Sequence, residues 1–353
     1  MIYNTYFMES AHHEGELPYL ITETDLSCSQ LSQVFDTTVK LRPLIQAGKF
    51  AAPLLSHHPI ALLFFEPSTR TRCSFEIAAK LLGAPVINFT AASSSVVKGE
   101  TLRDTAMTFR AMEVAMAVIR HGNAKAPEVF YQYFQRPVLN GGDGARAHPT
   151  QALLDYATVC GHDPRMLPDA NGTVTVQRNI AIVGDIAHSR VARSNARLWS
   201  KLGHKVTLVS PRTLMPMDID SFLAHMDHGL GSVDWSNDLD AVITNCDYIM
   251  MLRVQLERIK GPLLPSGKEY IARFGLNSAR LQRLPSHALI MHPGPVNRDV
   301  ELDDYAYRDP RCVINDQVGY GTAVRMVCLA LLAGKLPELQ SIIVAPANRE
   351  VST

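Results

Sequence analysis

The chain carries no surplus charge of either sign: Lys plus Arg number 34, and so do Asp plus Glu, among 353 residues. That balance excludes an overall basic field of the kind that draws nucleic acid, so an anion site here must be a local concentration of charge. An ordered cysteine framework is also missing. Cys28, Cys73, Cys160, Cys246, Cys312 and Cys328 are scattered, without a C-x-x-C or any other metal-ligand spacing. They read as reduced, mostly buried thiols of a cytosolic protein, and no metal is expected. The opening "MIYNTYFMESAHHEGE" has neither a basic n-region nor an apolar h-region, so no secretory signal is expected. "VCLALLA" near the end is far too short to span a bilayer. The expectation is a soluble, cytoplasmic protein with no membrane or nucleic-acid partner.

What is present is globular: 46% hydrophobic residues with 19% charged. At this length one ordinary core does not suffice, and two domains are expected. Strand-like and helix-like segments alternate, which predicts an α/β fold with two domains, each a mainly parallel sheet flanked by helices. "IALLFF", "PVINF", "VAMAVIRH" and "RPVLNGG" read as strands of the first half, and "NIAIVGD", "KVTLVSP", "YIMMLR" and "ALIMHPG" as strands of the second. The helix "HPTQALLDYATVCG" and the loop "HDPRMLPDANGTVTVQR" connect them. We expect a first domain over 1–160, a second over 161–316, and a last helix, 317–335, returning to complete the first.

In open α/β sheets ligands sit outside the carboxyl ends of the strands. Polar residues collect there in this sequence: Ser68 to Thr71, Arg120 and His121, Asn140 to Gln151, Asp185 to Arg190, Arg253 to Gln255, and His292 to Arg298. The densest cluster is "FFEPSTRTRCSFEIAAKLLGA", where Ser68, Thr69, Arg70, Thr71 and Arg72 stand between a wholly apolar run and a helix. A lone Ser or Thr before a helix is usually only an N-cap. Two arginines and three hydroxyls after a buried strand point instead to a phosphate cradle, because a helix N-terminus offers free N–H groups and Arg can grip two oxygens. The site expected is a cleft between the domains.

"FEPSTRTR", "KGETLRDT", "HPTQALLD", "RVQLER" and "HPGPVNR" occur in that order, and with them the chain resembles the aspartate/ornithine carbamoyltransferase family. The resemblance runs from about residue 20 to residue 335. It implies transfer of a carbamoyl group from carbamoyl phosphate to the amine of an amino acid, without a cofactor and without a covalent enzyme intermediate. Ser68, Thr69, Arg70 and Thr71 would hold the phosphate, with Thr71 also reaching the carbonyl. Arg120 would bridge phosphate and carbonyl oxygens, His148 would donate to the carbonyl oxygen, and Gln151 would contact the carbamoyl amide. Arg70, Thr71, Arg120 and His148 are thus the catalytic group.

By the same resemblance, Ser94 and Lys98 of "SSSVVKGET" would enter a neighbouring subunit's site, on phosphate and on the amino-acid carboxylate, which implies a homotrimer. Arg190, Arg253 and Gln255 would bind the acceptor, a dicarboxylate being best served by two arginines. Backbone groups of Pro293, Gly294 and Pro295, following His292, would receive the amino group and the carbamoyl nitrogen. Many family members carry Leu where Gly294 stands, and the peptide before Pro295 is expected to be cis. Glu66 reads as a carboxylate that orients an arginine such as Arg120, not as a general base.

L-aspartate is favoured as acceptor, because the R-V-Q pattern is intact and the Cys that ornithine enzymes carry after the late His is absent. Aspartate as acceptor would make this the committed step towards pyrimidines. The nearest alternative is a carbamoyltransferase for ornithine or another amine. A silent structural subunit would have lost anchors that are all present here. A nicotinamide dehydrogenase is disfavoured, since "IAIVGDIAHSRVARS" has one glycine in its turn where G-x-G-x-x-G is needed. Partners such as a regulatory chain or a dihydroorotase stay open, as no surface motif selects among them.

Overall fold

The structure is a computed structural model, and it describes residues 17–90, 99–226, 230–254 and 267–344. The first half runs β1 (Tyr19–Leu20), α1 (Cys28–Gln46), β2 (Ile60–Phe64), α2 (Thr69–Leu81), β3 (Val86–Thr90), α3 (Leu102–Ala111), β4 (Met116–His121), α4 (Ala126–Phe134), β5 (Val138–Asp143) and α5 (Pro149–His162). The second runs β6 (Asn179–Val183), α6 (Arg190–Lys201), β7 (Lys205–Val209), α7 (Ile219–Ala224), β8 (Ser232–Ser236), α8 (Leu239–Val242), β9 (Tyr248–Met251), α9 (Gly267–Phe274), α10 (Ser278–Arg283) and β10 (Leu289–Met291). After it come α11 (Asp304–Arg308), α12 (Ile314–Leu332) and α13 (Leu336–Val344).

Each half contains a five-stranded sheet, ordered β1-β5-β4-β2-β3 and β10-β9-β6-β7-β8. All the pairings are parallel. Parallel strands have both faces covered by helices, which explains the unbroken apolar runs: every residue of β2 and of β9 is buried. In both sheets the chain reverses its direction of travel beside the first long strand, between β2 and β4 and again between β6 and β9. Those are topological switch points, where a crevice opens at the strand ends.

Local chemistry starts the helices. Ser27 caps α1 in a capping box with Gln30, Thr101 does the same for α3 with Asp104, and the Ser189 hydroxyl accepts the Ala192 N–H at the head of α6. The sequence pattern does not flag α1, because its buried side includes Thr37 and Thr38 among its apolar residues and Pro43 interrupts it. The last long helix begins at Ile314, earlier than the apolar repeat alone indicates.

Helix α5 is buried along Pro149–Cys160 and packs against α1, α6 and α12, so it is the spine between the halves. Helix α12 lies on α1, α2 and α5 of the first half. The largest core runs through these helices from one sheet to the other, with Trp199 edge-on to Tyr156 at 4.9 Å and the Tyr156 hydroxyl 2.9 Å from His204 Nε2. Among the described residues no helix is long and apolar enough to cross a membrane.

Candidate active site

The first switch point gathers the expected phosphate residues. Strand β2 ends at Phe64, and a short turn leads to Ser68 at the N-cap of α2. The Ser68 hydroxyl makes no capping bond, leaving it available beside the free N–H groups of the helix start. On the neighbouring strand, Arg120 pairs in register with Phe64, which sets its guanidinium next to α2. Arg120 Nη1 lies 3.4 Å from Thr71 Oγ1 and 3.4 Å from the Gly141 carbonyl, and Nε is 3.4 Å from Glu66 Oε2. Residues expected at the phosphate and at the carbonyl, Thr71 and Arg120, therefore meet at one point.

His148 stands at the N-cap of α5, before Pro149, and its backbone N–H donates to Ser194 Oγ at 3.0 Å. Its ring is buried, and Nδ1 has no hydrogen-bond partner among the described residues. Burial, followed by the positive charges of Arg120, Arg190 and Arg325, holds this imidazole well below its ordinary pKa. It is therefore a neutral ring at physiological pH, suited to donate an N–H to a carbonyl oxygen but not to act as an acid. One turn on, Gln151 Nε2 donates to Asp155 at 2.9 Å.

The second switch point brings up the expected acceptor residues. Met251 pairs with Val183, so Arg253 emerges beside the loop that leads from β6 to Arg190 at the first position of α6. Arg190 reaches across to the first half, donating from Nη1 to the Gly144 carbonyl (3.0 Å) and from Nη2 to Glu66 Oε2 (3.1 Å). Glu66 thus holds Arg120, as expected, and also Arg190, which sequence reasoning did not anticipate. Set between two guanidiniums, it clamps an arginine of each half.

The 292–295 turn follows β10. The peptide before Pro295 is cis, and Gly294 has φ +67°, a left-handed conformation that glycine accepts without strain. A Cβ at Gly294 would lie 3.3 Å from Arg70 Cζ, so the turn of the second half presses directly on Arg70 of the first. His292 Nδ1 accepts the Gly294 N–H at 2.8 Å. Burial and the nearby charges of Arg70 and Arg253 push the His292 ring down to about 3. Partial burial and then the proximity of Arg253 lower Arg70 from its ordinary value. Positive charge from both halves is thus felt at this turn, as anionic substrates would require. Ser94, Lys98 and Gln255 lie outside the described residues.

Several residues behind the site escaped the sequence reading. Arg325 is buried on α12, its guanidinium 5.0 Å from the Phe75 ring centroid, and burial lowers it to about 10, so it remains charged at neutral pH. A single arginine inside the apolar run "AVRMVCLALLA" was the available signal. Ser194, Asn195 and Gln317 left no such mark, being ordinary polar residues until the helices pack.

The family profile for the carbamoyl-P binding domain of aspartate/ornithine carbamoyltransferases matches residues 19–160, and that for their Asp/Orn binding domain matches residues 176–332. The chain belongs to the aspartate/ornithine carbamoyltransferase family. Among its relatives, the aspartate carbamoyltransferase catalytic subunit of Salinispora tropica is 44% identical over 90% of this chain and 98% of that protein. The catalytic subunit of Acidothermus cellulolyticus is 45% identical over 90% and 92%. Among solved structures, aspartate transcarbamoylase of Trypanosoma cruzi in complex with carbamoyl phosphate and aspartate superposes with a TM-score of 0.78 at 29% identity, covering 89% of this chain and 96% of that one. The same enzyme with N-(phosphonacetyl)-L-aspartic acid gives 0.78 at 30%, covering 89% and 95%. Membership of this family accounts for the two parallel sheets.

Proposed function

We propose that this chain transfers the carbamoyl group of carbamoyl phosphate to the amine of L-aspartate, giving N-carbamoyl-L-aspartate and phosphate, the committed step towards pyrimidines. The observation that carries the reading is the meeting of Arg120, Thr71 and the buried, neutral His148 in the first half, with the Gly294 turn of the second half against Arg70. The relatives named for this activity support it.

Carbamoyl phosphate would lie with its phosphate over the head of α2, held by Ser68, Thr69, Arg70 and Thr71. Arg120 would span a phosphate oxygen and the carbonyl oxygen, to which His148 also donates. As the amine nitrogen attacks the carbonyl carbon, negative charge grows on that oxygen, and donors already fixed there stabilise it without reorganising. Collapse of the tetrahedral intermediate breaks the bond from carbon to the phosphate oxygen. The departing phosphate takes the amine proton, so no protein base or nucleophile is needed. Arg190 and Arg253, with Gln255, would hold the two aspartate carboxylates, and backbone groups of Pro293, Gly294 and Pro295 would orient the amine. Glu66 must share Arg190 with the incoming carboxylate, since it already accepts one of that guanidinium's N–H groups.

The proposal divides the chain into a carbamoyl-phosphate domain, 1–160 completed by 317–335, and an aspartate domain, 161–316. It extends to a homotrimer in the cytoplasm, in which Ser94 and Lys98 complete a neighbour's site; family membership is what supports this. Mixing Lys98→Ala with Arg120→Ala, each inactive alone, should restore activity through hybrid trimers with one intact site. No recovery would refute the sharing of sites.

The deciding assay is product formation from carbamoyl phosphate with aspartate and, in parallel, with ornithine. Turnover with aspartate alone is expected; turnover with ornithine alone would overturn the acceptor assignment.

A further inference from the structure

Behind the carbamoyl end of the cleft lies a fully buried carboxylate that the transfer steps leave unused. Asp155 sits one helical turn beyond Gln151 on α5. Three side-chain amides turn their N–H2 groups towards it. Gln151 Nε2 and Gln317 Nε2 donate to Oδ1 at 2.9 and 2.7 Å, and Asn195 Nδ2 donates to Oδ2 at 2.9 Å.

Two of the amides are locked at their other ends. Gln317 Oε1 accepts the His292 backbone N–H at 2.9 Å, and Asn195 Oδ1 accepts the Trp199 indole N–H at 3.1 Å. Backbone and indole N–H groups can only donate, so neither amide can turn over without setting donor against donor. Gln151 has no such second bond among the described residues. Its orientation is determined by Asp155 alone.

We infer that Asp155 is a positioning residue that selects which end of the Gln151 amide meets the substrate. Ionised, it holds Gln151 with its carbonyl oxygen outward, as an acceptor for the carbamoyl –NH2. Protonated on Oδ1, it must donate to an amide oxygen, and only Gln151 is able to supply one. Gln151 then turns over, and an N–H2 faces the substrate N–H2. This deepens the transfer reading and rests on it.

The charges around Asp155 leave this choice open near neutrality. Arg325 of α12 favours the ionised form, while α6 contributes the neutral Asn195. Elsewhere around α5, Glu23 is paired with Arg197, and Asp143 of β5 is paired with Arg146. Burial outweighs the Arg325 charge and the amide bonds, and pushes the carboxyl up to about 7. Asp155 therefore changes charge near neutral pH.

The test compares the wild-type chain with Gln151→Met from pH 5 to 8.5, reading kcat/KM for carbamoyl phosphate. At pH 8 the wild type should exceed the variant about 30-fold, mainly through KM, because the lost bond exists in ground and transition states alike. That ratio should fall towards one below pH 6 as Gln151 turns over; a constant ratio would overturn the inference. Wild-type activity at pH 8 tests the transfer reading by itself, so the two failures are distinguishable. Asp155→Asn supplies a second arm once thermal melting shows that it folds. Adding Gln151→Met to it should cost little more than either change alone, whereas fully additive losses would sink the proposal. Should that variant not fold, the pH dependence of the ratio decides.

Discussion

The two sheets solve the same problem with the same topology and reach different results. In the first, the switch point between β2 and β4 is nearly complete in itself. Arg120 is held by Glu66 and lies beside Thr71 and the Gly141 carbonyl, all from one half, and His148 is kept neutral by burial. In the second, the switch point between β6 and β9 is assembled only against its neighbour. Arg190 donates to Glu66 and Gly144 of the first half, and the Gly294 turn packs onto Arg70. A phosphate site can be built at one helix head, where backbone N–H groups supply much of the binding. A dicarboxylate needs separated guanidiniums, and of the two expected here Arg190 is held in place by groups of the other half.

The comparison breaks most sharply at Arg120. Arg120→Ala should lower kcat by about 1,000-fold with little change in thermal midpoint, as for removal of a preorganised oxyanion donor. A loss under tenfold would remove Arg120 from the catalytic group. Next comes Arg253→Ala, which should raise the KM for aspartate about 100-fold and leave carbamoyl phosphate affinity nearly unchanged. Equal loss of both affinities would mean that the halves do not divide the substrates. Glu66→Gln probes the link between them: it weakens the hold on Arg120 and Arg190 together, and about a tenfold drop in kcat/KM for both substrates is expected. A loss confined to one substrate would show that the clamp serves a single side.

Acid should destabilise the fold. His148, His204 and His292 are buried with depressed pKa values, His204 down to about 4 and His292 to about 3. As pH falls below 6.5 the unfolded chain takes up protons that these rings refuse, so stability declines from 6.5 towards 4. Asp155 and Glu301 have raised pKa values and act in the opposite sense, favouring the fold as pH falls, but the three histidines outnumber them. Each net proton is worth about 1.4 kcal/mol per pH unit, and denaturant melts across that window should register the decline. Rising stability in acid would contradict the neutral assignment of these rings. The smallest expected effect is Gly294→Ala, about 1 kcal/mol from the left-handed backbone, with a modest rise in KM as the methyl group crowds Arg70.

The strands that position the site were legible because a buried parallel strand is an unbroken apolar run. β2, β4, β6 and β9 all stand where such runs end in polar residues. Ser68 to Thr71, Arg120, His148, Arg190 and Arg253 were legible for a related reason: charge at the carboxyl end of a buried strand has few structural uses. The second partner of Glu66 was not, because Arg190 lies 124 residues away and in the other half. The Asp155 network was equally hidden. Asp155 reads as an ordinary helix residue until Gln317, 162 residues on, arrives with α12.

By itself, the sequence determined the alternation of strand and helix and the chemistry placed at each strand end, since burial period and residue type are local properties. The tertiary structure alone decided which strand ends became neighbours. It also decided which histidines stay neutral and which single amide is left free to turn, because electrostatics and hydrogen-bond saturation depend on what the fold brings within a few ångströms.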